Sequence, residues 1–121
     1  MPNLNAVEIK TFIPAKDFAV SQAFYRDLGF RVTEATEGLC YMCHGNCAAL
    51  LQDFYEPLHA NNHVMHLLVE DVDAWWQQLQ RAGIAEKYQV RISAPQDQPY
   101  AMRDFTLYDP SGVLWWIGQN T

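Results

Sequence analysis

The chain has 121 residues, half of them hydrophobic, and this length suits one domain rather than two. Only 18% of the residues are charged, and the formal net charge is −6 at neutral pH. Nucleic acids and anionic membranes are bound chiefly through Lys and Arg, so this composition disfavours both as partners. We find no targeting signal and no apolar stretch near the ~20 residues of a membrane span, and we therefore expect a cytoplasmic protein.

The first half of the chain predicts a strand, a helix and three more strands. Residues 7–13 alternate between apolar and polar side chains, which predicts a strand that ends at Pro14. Asp17 is a typical helix N-cap, apolar residues follow it at helical spacing, and Gly29 is the expected C-terminal stop. Three further strands and a polar connecting loop are then predicted over residues 30–36, 39–44, 47–52 and 53–62.

The same pattern restarts in the second half. Residues 63–69 predict a strand, and a helix follows from the N-cap Asp71 to a stop at Gly83. A strand over 88–93, a Pro-containing loop over 94–100, and two strands over 102–108 and 113–118 complete the chain. The last two strands are joined by a strong turn sequence, Asp109-Pro110-Ser111-Gly112.

The two halves are related by an internal repeat. Both the N-cap pair, Asp17 and Asp71, and the stop pair, Gly29 and Gly83, are separated by 54 residues. Such a repeat predicts two βαβββ modules, about 6–53 and 63–118, in a single domain spanning 1–121. One module alone buries too little apolar surface. We therefore predict an α+β fold in which the modules form a curved, eight-stranded mixed sheet around a cavity, with the helices outside.

A cysteine-rich stretch needs a separate interpretation. Cys40 and Cys43 followed by His44 match the spacing of c-type haem attachment, and with Cys47 they also suggest a zinc cluster. Adjacent side chains on a strand point to opposite faces, so Cys43 and His44 are expected to diverge. We therefore favour ordinary core cysteines, and the odd number of cysteines argues against a disulfide framework.

Four stretches of the chain form a recognisable set of motifs, and these are Ile13 to Asp17 with Ser21, Phe24-Tyr25-Arg26-Asp27-Leu28-Gly29-Phe30, Leu68 to Ala74, and Met102 to Gly112. With these motifs the chain resembles the vicinal-oxygen-chelate superfamily, which contains glyoxalases, extradiol dioxygenases, fosfomycin-resistance enzymes and bleomycin-resistance proteins. The Arg-Asp-Phe sequence before the last turn and the compact length are most similar to the bleomycin-resistance branch.

The resemblance implies three positions at which the enzymes of the superfamily hold a divalent metal. Counted from the matched motifs, these positions are occupied here by Lys10, Val64 and Trp116. A protonated Lys, a Val and a Trp indole offer no suitable lone pair to a metal ion at neutral pH. We therefore expect no metal and no other cofactor, and we do not carry over the metal-dependent chemistry.

The same positions predict which side chains line the cavity, because alternate residues of a strand share a face. Trp116 and Phe12 would stack on a flat ligand, and Asp104 and Glu8 would meet a cation. Lys10 would pair with Glu8 or Asp104, or would meet a ligand carboxylate. The predicted ligand-binding residues are Glu8, Lys10, Phe12, Val64, His66, Asp104, Thr106, Leu114 and Trp116.

The resulting prediction is a metal-free binding protein that sequesters an aromatic or cationic compound, such as a bleomycin-type antibiotic. Two enzymatic alternatives stay open. One is a glyoxalase- or dioxygenase-like metalloenzyme with a displaced site that uses His66, His63 and a cysteine, and the other is a metal-free lyase with His66 as the base. We assign no catalytic residue. The resemblance also implies a homodimer with the cavity walls at or across the contact.

Overall fold

The computed structural model describes residues 1–121 and contains eight strands and four helices. In the first half, four strands form one mixed sheet in the order β1-β4-β3-β2, in which β1 is parallel to β4 and the other pairs are antiparallel. The elements of this half are β1 (Phe12–Pro14), α1 (Phe18–Leu28), β2 (Arg31–Thr36), β3 (Leu39–His44) and β4 (Cys47–Gln52).

The second half forms another four-stranded sheet of matching topology, β5-β8-β7-β6, in which β5 is parallel to β8. It is connected to the first half by a short helix, α2 (Pro57–Asn61). Its elements are β5 (Val64–Leu68), α3 (Val72–Arg81), α4 (Ile84–Tyr88), β6 (Gln96–Gln98), β7 (Met102–Tyr108) and β8 (Leu114–Asn120). None of the helices combines the length and the hydropathy needed to cross a membrane.

The predicted caps explain where the two long helices begin. The carboxylate of Asp17 accepts the backbone N–H of Val20 at 3.2 Å, and that of Asp71 accepts the N–H of Ala74 at 3.0 Å. Gly29 ends α1 with a φ of +115°, a conformation that favours glycine. Gly83 also stops its helix as predicted: α3 ends at Arg81, and Gly83 follows the C-cap Ala82 with a φ of +65°. A further short helix, α4, begins directly after it.

Four predicted segments differ from the structure, because each depends on contacts that local periodicity does not contain. Of the predicted strand over 7–13, only Phe12 and Ile13 lie in a strand, which is β1. The residues before them pair with no strand of this chain. The loop 53–62 contains α2, which Glu56 caps and Pro57 opens. The predicted strand over 88–93 is not formed, because Tyr88 belongs to helix α4. The end of this segment makes one isolated β-bridge, between Ile92 and Leu107. The loop 94–100 contains β6, which pairs with β7.

The α+β architecture with two βαβββ-like halves is confirmed, but the eight strands form two separate sheets that do not close into a barrel. One face of each sheet and the apolar sides of α1 and α3 share a core of 20 buried residues. A buried polar contact joins the halves, because the hydroxyl of Tyr25 on α1 donates to Asp109 at 2.5 Å and accepts from the indole N–H of Trp115 at 2.9 Å. The faces opposite the core stay open.

Candidate functional site

The exposed face of the second sheet carries most of the predicted site. Along β8, Trp115 and Ile117 are buried in the core, whereas Leu114 and Trp116 lie on the opposite face and are half-buried. This alternation is the ordinary period of two of a strand. We call this surface the open face and define it by Val64, His66, Leu68, Thr106, Tyr108, Leu114 and Trp116.

Strand register arranges these side chains in rows across the sheet. Trp116 lies opposite His66 of β5 on one side and Thr106 of β7 on the other. In the next row, Leu114 lies between Val64 and Tyr108. Trp116 is therefore at the centre of the open face, with aliphatic, aromatic and polar neighbours. Such a mixture is typical of small-molecule sites.

A shallow depression of about 200 Å³ adjoins the indole of Trp116. Thr106 and Trp116 form part of its floor, and residues of β6 and the segment before it form its wall. His66 is exposed on the other side of Trp116, and its ring makes no hydrogen bond within the chain. The depression is open to solvent, so a single chain does not enclose the predicted cavity.

Asp104 lines this depression, and its carboxylate already has hydrogen-bond partners within the chain. Its side chain is largely buried, at 3% exposure, and accepts hydrogen bonds from Gln98 at 2.9 Å and from the hydroxyl of Tyr100 at 2.6 Å. The hydrogen bond to Asp104 raises the pKa of Tyr100. A buried carboxylate needs such partners, and here they hold the segment around β6 against β7. We therefore interpret Asp104 as a residue that positions the wall.

The remaining predicted residues lie on the first sheet or just before it. Lys10 forms an ion pair with Glu8 at 2.5 Å, and its ammonium lies 5.7 Å from the centre of the Tyr41 ring. Phe12 is 48% exposed and pairs with Leu50 at the edge of this sheet. The structure thus groups the predicted residues on two sheets of the chain and does not bring all of them into one pocket.

Comparison with known proteins now identifies the family. Residues 5–117 match the model of the Glyoxalase/Bleomycin resistance protein/Dioxygenase superfamily. The chain belongs to this superfamily. It is 30% identical over 115 residues to a bleomycin resistance protein of Klebsiella pneumoniae, a match that covers 89% of this chain and 88% of the relative.

Two solved structures of superfamily members are similar to the whole chain. A bleomycin-binding protein complexed with bleomycin superposes with a TM-score of 0.81 at 27% identity, covering 96% of this chain and all of that one. A bleomycin resistance determinant encoded on a transposon also gives a TM-score of 0.81, at 28% identity, over 94% of this chain and 98% of that one. The predicted resemblance is therefore confirmed.

The three residues at the predicted metal-ligand positions, Lys10, Val64 and Trp116, differ in their surroundings. Lys10 is already paired with Glu8, Val64 is exposed, and Trp116 is half-buried on the open face. No three His, Cys, Asp or Glu side chains form a group that could hold a metal ion.

The cysteine-rich stretch also forms no cluster. Cys40 is buried in the core, where burial raises the pKa of its thiol, whereas Cys47 is exposed. The ring of His44 packs between those of Phe30 and Trp75, at centroid distances of 5.9 and 5.1 Å. The three thiols are free, but only Cys40 is a core cysteine as predicted, because Cys43 is half-buried and Cys47 is exposed.

Two further residues, Arg91 and Ser93, extend the open face and were absent from the predicted set. The backbone of Arg91 accepts the N–H of Tyr108 at 3.1 Å, and the N–H of Ser93 donates to the carbonyl of Thr106 at 2.9 Å. Because Ile92 between them faces the core side, Arg91 and Ser93 extend the two rows of the open face by one position. The alternation of polar and apolar residues in 88–93 indicates that Arg91 and Ser93 share a face, but the sequence does not show which residues of β7 they pair with.

Proposed function

We propose that this protein is a metal-free cytoplasmic binding protein that sequesters an aromatic or cationic compound, such as a bleomycin-type antibiotic, on the open face. The observation that carries the proposal is the position of Trp116. It lies at the centre of the open face, half-buried and beside a depression, where enzymes of the superfamily have a metal-binding carboxylate. The Klebsiella relative and the bleomycin-bound structure support the choice of ligand.

The side chain at this position determines which ligands the face favours. A Trp in place of a carboxylate removes a charged group and supplies a large stacking surface. Aromatic stacking contributes about 0.5–1.5 kcal/mol beyond area burial, and a cation over the ring adds about 0.5–2 kcal/mol. The net charge of −6 favours the approach of a cation, most strongly at low salt.

The proposed absence of a metal rests on the chemistry of Lys10, Val64 and Trp116, none of which provides a suitable ligand atom. Elemental analysis of protein purified without chelator is expected to give well under one metal ion per chain. One tightly held zinc, nickel or iron ion per chain would refute this part of the proposal.

We further propose that the functional unit is a homodimer in which the first sheet of one chain and the open face of the other share a binding cavity. On the open face, Val64 and Leu68 are 57% and 55% exposed, and on the first sheet Phe12 is also exposed. The apolar side chains of Val7 and Ile9 contact almost nothing in their own chain. Apolar surface of this kind favours association.

Light scattering at micromolar concentration tests the dimer. The expected mass is twice the chain mass of 13.9 kDa, and a mass near 13.9 kDa would contradict the proposal. A Leu68→Glu variant is expected to shift the mass towards that of one chain, because it introduces a charge into the apolar surface that we propose is buried.

Isothermal titration calorimetry with bleomycin tests the ligand-binding proposal. We expect Trp116→Ala to weaken binding at least tenfold while the protein stays folded. Trp75→Ala is the matched control, since Trp75 is also half-buried but lies on α3, away from the open face. Failure of bleomycin to bind or to raise the melting temperature of the unmodified protein would refute this ligand. Equal losses in the two variants would refute the role of Trp116.

A further inference from the structure

We propose that Arg91 forms an acceptor subsite of the open face, which binds a carboxylate or a similar planar oxygen group of the ligand while an aromatic part lies on Trp116. This inference rests on the proposed function and narrows the ligand class. Within that class it selects aromatic compounds that carry an oxygen acceptor, including zwitterions whose cation is attracted by the net charge of −6, over purely cationic aromatic compounds.

The guanidinium of Arg91 is held in place. Its carbon lies 4.5 Å from the centre of the Tyr108 ring, a stacked cation–π arrangement. The backbone on either side is fixed to β7 by the bonds of Arg91 and Ser93 described above, and the hydroxyl of Ser93 also accepts the N–H of Thr106 at 2.8 Å. A pre-ordered guanidinium loses less conformational entropy when it binds a ligand than a freely rotating one does.

The charge of Arg91 has no partner within the chain. Three of the eight Lys and Arg side chains, those of Lys10, Lys87 and Arg103, form ion pairs with carboxylates, and Arg91 is among the five that form none. The side chain of Arg91 also donates no hydrogen bond within the chain. Asp109 and Arg91 border a common surface hollow, but the carboxylate oxygens of Asp109 accept hydrogen bonds from the Tyr25 hydroxyl and from backbone N–H groups. The planar fork of N–H donors on Arg91 is therefore free, and this fork matches the geometry of a carboxylate.

Arg91 borders a solvent-open hollow that joins the Trp116 depression. The hollow has a volume of about 620 Å³ and is bordered by Arg91, Tyr108 and aliphatic side chains. Ser93 and Thr106 border both the hollow and the depression, so one ligand would extend from one to the other. Thr106 lies directly opposite Trp116, and Tyr108 is two residues further along β7. Tyr108 is therefore a diagonal neighbour of Trp116, and such neighbours are roughly 7–8 Å apart.

A pair of probes that differ in charge tests the subsite directly. We would measure the affinity of the full-length protein for 2-naphthoate and for 2-naphthylmethylammonium by titration calorimetry. The expected result is that naphthoate binds at least tenfold more tightly than the amine. No detectable naphthoate binding at millimolar concentration, or a preference for the amine, would overturn the inference.

Variants connect any preference to the residue. Arg91→Gln is expected to lower naphthoate affinity at least tenfold and to change that of the amine less than twofold, and Arg91→Lys should restore only part of the loss because it lacks the planar fork. Arg81→Gln, in the last turn of α3, is the control for loss of one positive charge. Equal effects of Arg91→Gln and Arg81→Gln would overturn the inference, and melting curves of each variant establish that it is folded.

The outcomes separate this inference from the proposed function. If bleomycin binds the protein but naphthoate affinity does not depend on Arg91, the acceptor subsite is wrong and the proposed function stands. If naphthoate binds in an Arg91-dependent manner but bleomycin does not bind, the subsite stands and the proposed antibiotic ligand is wrong.

Discussion

Trp115 and Trp116 are neighbours on β8, yet they have opposite environments. Trp115 is 2% exposed, packs against the rings of Tyr25 and Phe30, and donates its indole N–H to the hydroxyl of Tyr25. Trp116 lies on the open face, and its indole N–H has no partner in the chain. A buried, fully bonded Trp contributes to stability, whereas a half-buried Trp beside a depression is available to a ligand. One face of β8 thus contributes to the module junction, the contact of Tyr25 with Asp109 and Trp115 that joins the two halves, and the other face contributes to the proposed site.

The largest expected effect on stability comes from truncating Trp115, and truncation of Trp116 is the comparison. Trp115→Ala should lower the free energy of unfolding by about 3–5 kcal/mol, because it leaves a void in the core and removes a buried hydrogen bond. Trp116→Ala should cost only about 1 kcal/mol or less, because solvent already reaches its side chain. Urea denaturation measures both values. Equal losses would mean that Trp116 fills a closed core, and the comparison would then fail.

A smaller effect is expected for the hydroxyl that joins the two halves. Tyr25→Phe removes the donor to Asp109 and the acceptor for Trp115, and it should cost about 1–3 kcal/mol because two buried polar groups lose a partner. Phe24→Leu is a useful comparison, since Phe24 is also fully buried on α1 but has no polar group. A Tyr25→Phe variant as stable as the unmodified protein would show that the junction does not need this contact.

The smallest effect concerns pH. Burial raises the pKa of Asp109, and its hydrogen bonds with Tyr25 and backbone N–H groups only partly offset this. A raised pKa means that the native state binds this proton more tightly than the unfolded state. The Asp109 contribution therefore favours folding most at low pH, and it decreases as pH rises from the ordinary value near 3.8 through the raised one. Asp109→Asn should abolish this decrease in urea titrations at several pH values, whereas an unchanged profile would contradict it.

The parts of the fold that the sequence predicts are those with local causes. The N-caps Asp17 and Asp71, the stop at Gly29 and the 54-residue offset depend on neighbouring residues or on repetition, and all are present in the structure. The short β6 was missed because its pairing with β7 connects residues across a turn in a Pro-containing stretch. Likewise, Gly83 stops α3 as predicted, but the short helix α4 that follows it was missed, because the first half has no such helix at the corresponding place.

The candidate site shows the same limit. Alternation along β8 and β5 assigns Trp116, Leu114, Val64 and His66 to one face without any three-dimensional information, and the structure agrees. Alternation does not reveal that the neighbours of Asp104 occupy its carboxylate, because those neighbours are brought to it by strand pairing. It also does not reveal how the two sheets are oriented, so alternation alone does not show that Glu8, Lys10 and Phe12 lie on or before a different sheet from Trp116.

The connection between the two halves has a consequence for their assembly. The segment with α2 is short, and the halves meet through the shared core and the contact of Tyr25 with Asp109 and Trp115. The connecting segment thus acts as a tether that keeps the effective concentration of one half near the other high. Cleaving the peptide chain beside α2 would turn this intramolecular docking into a bimolecular equilibrium. The chain therefore contains the elements of a split protein, whose complementation would report directly on the strength of the module junction.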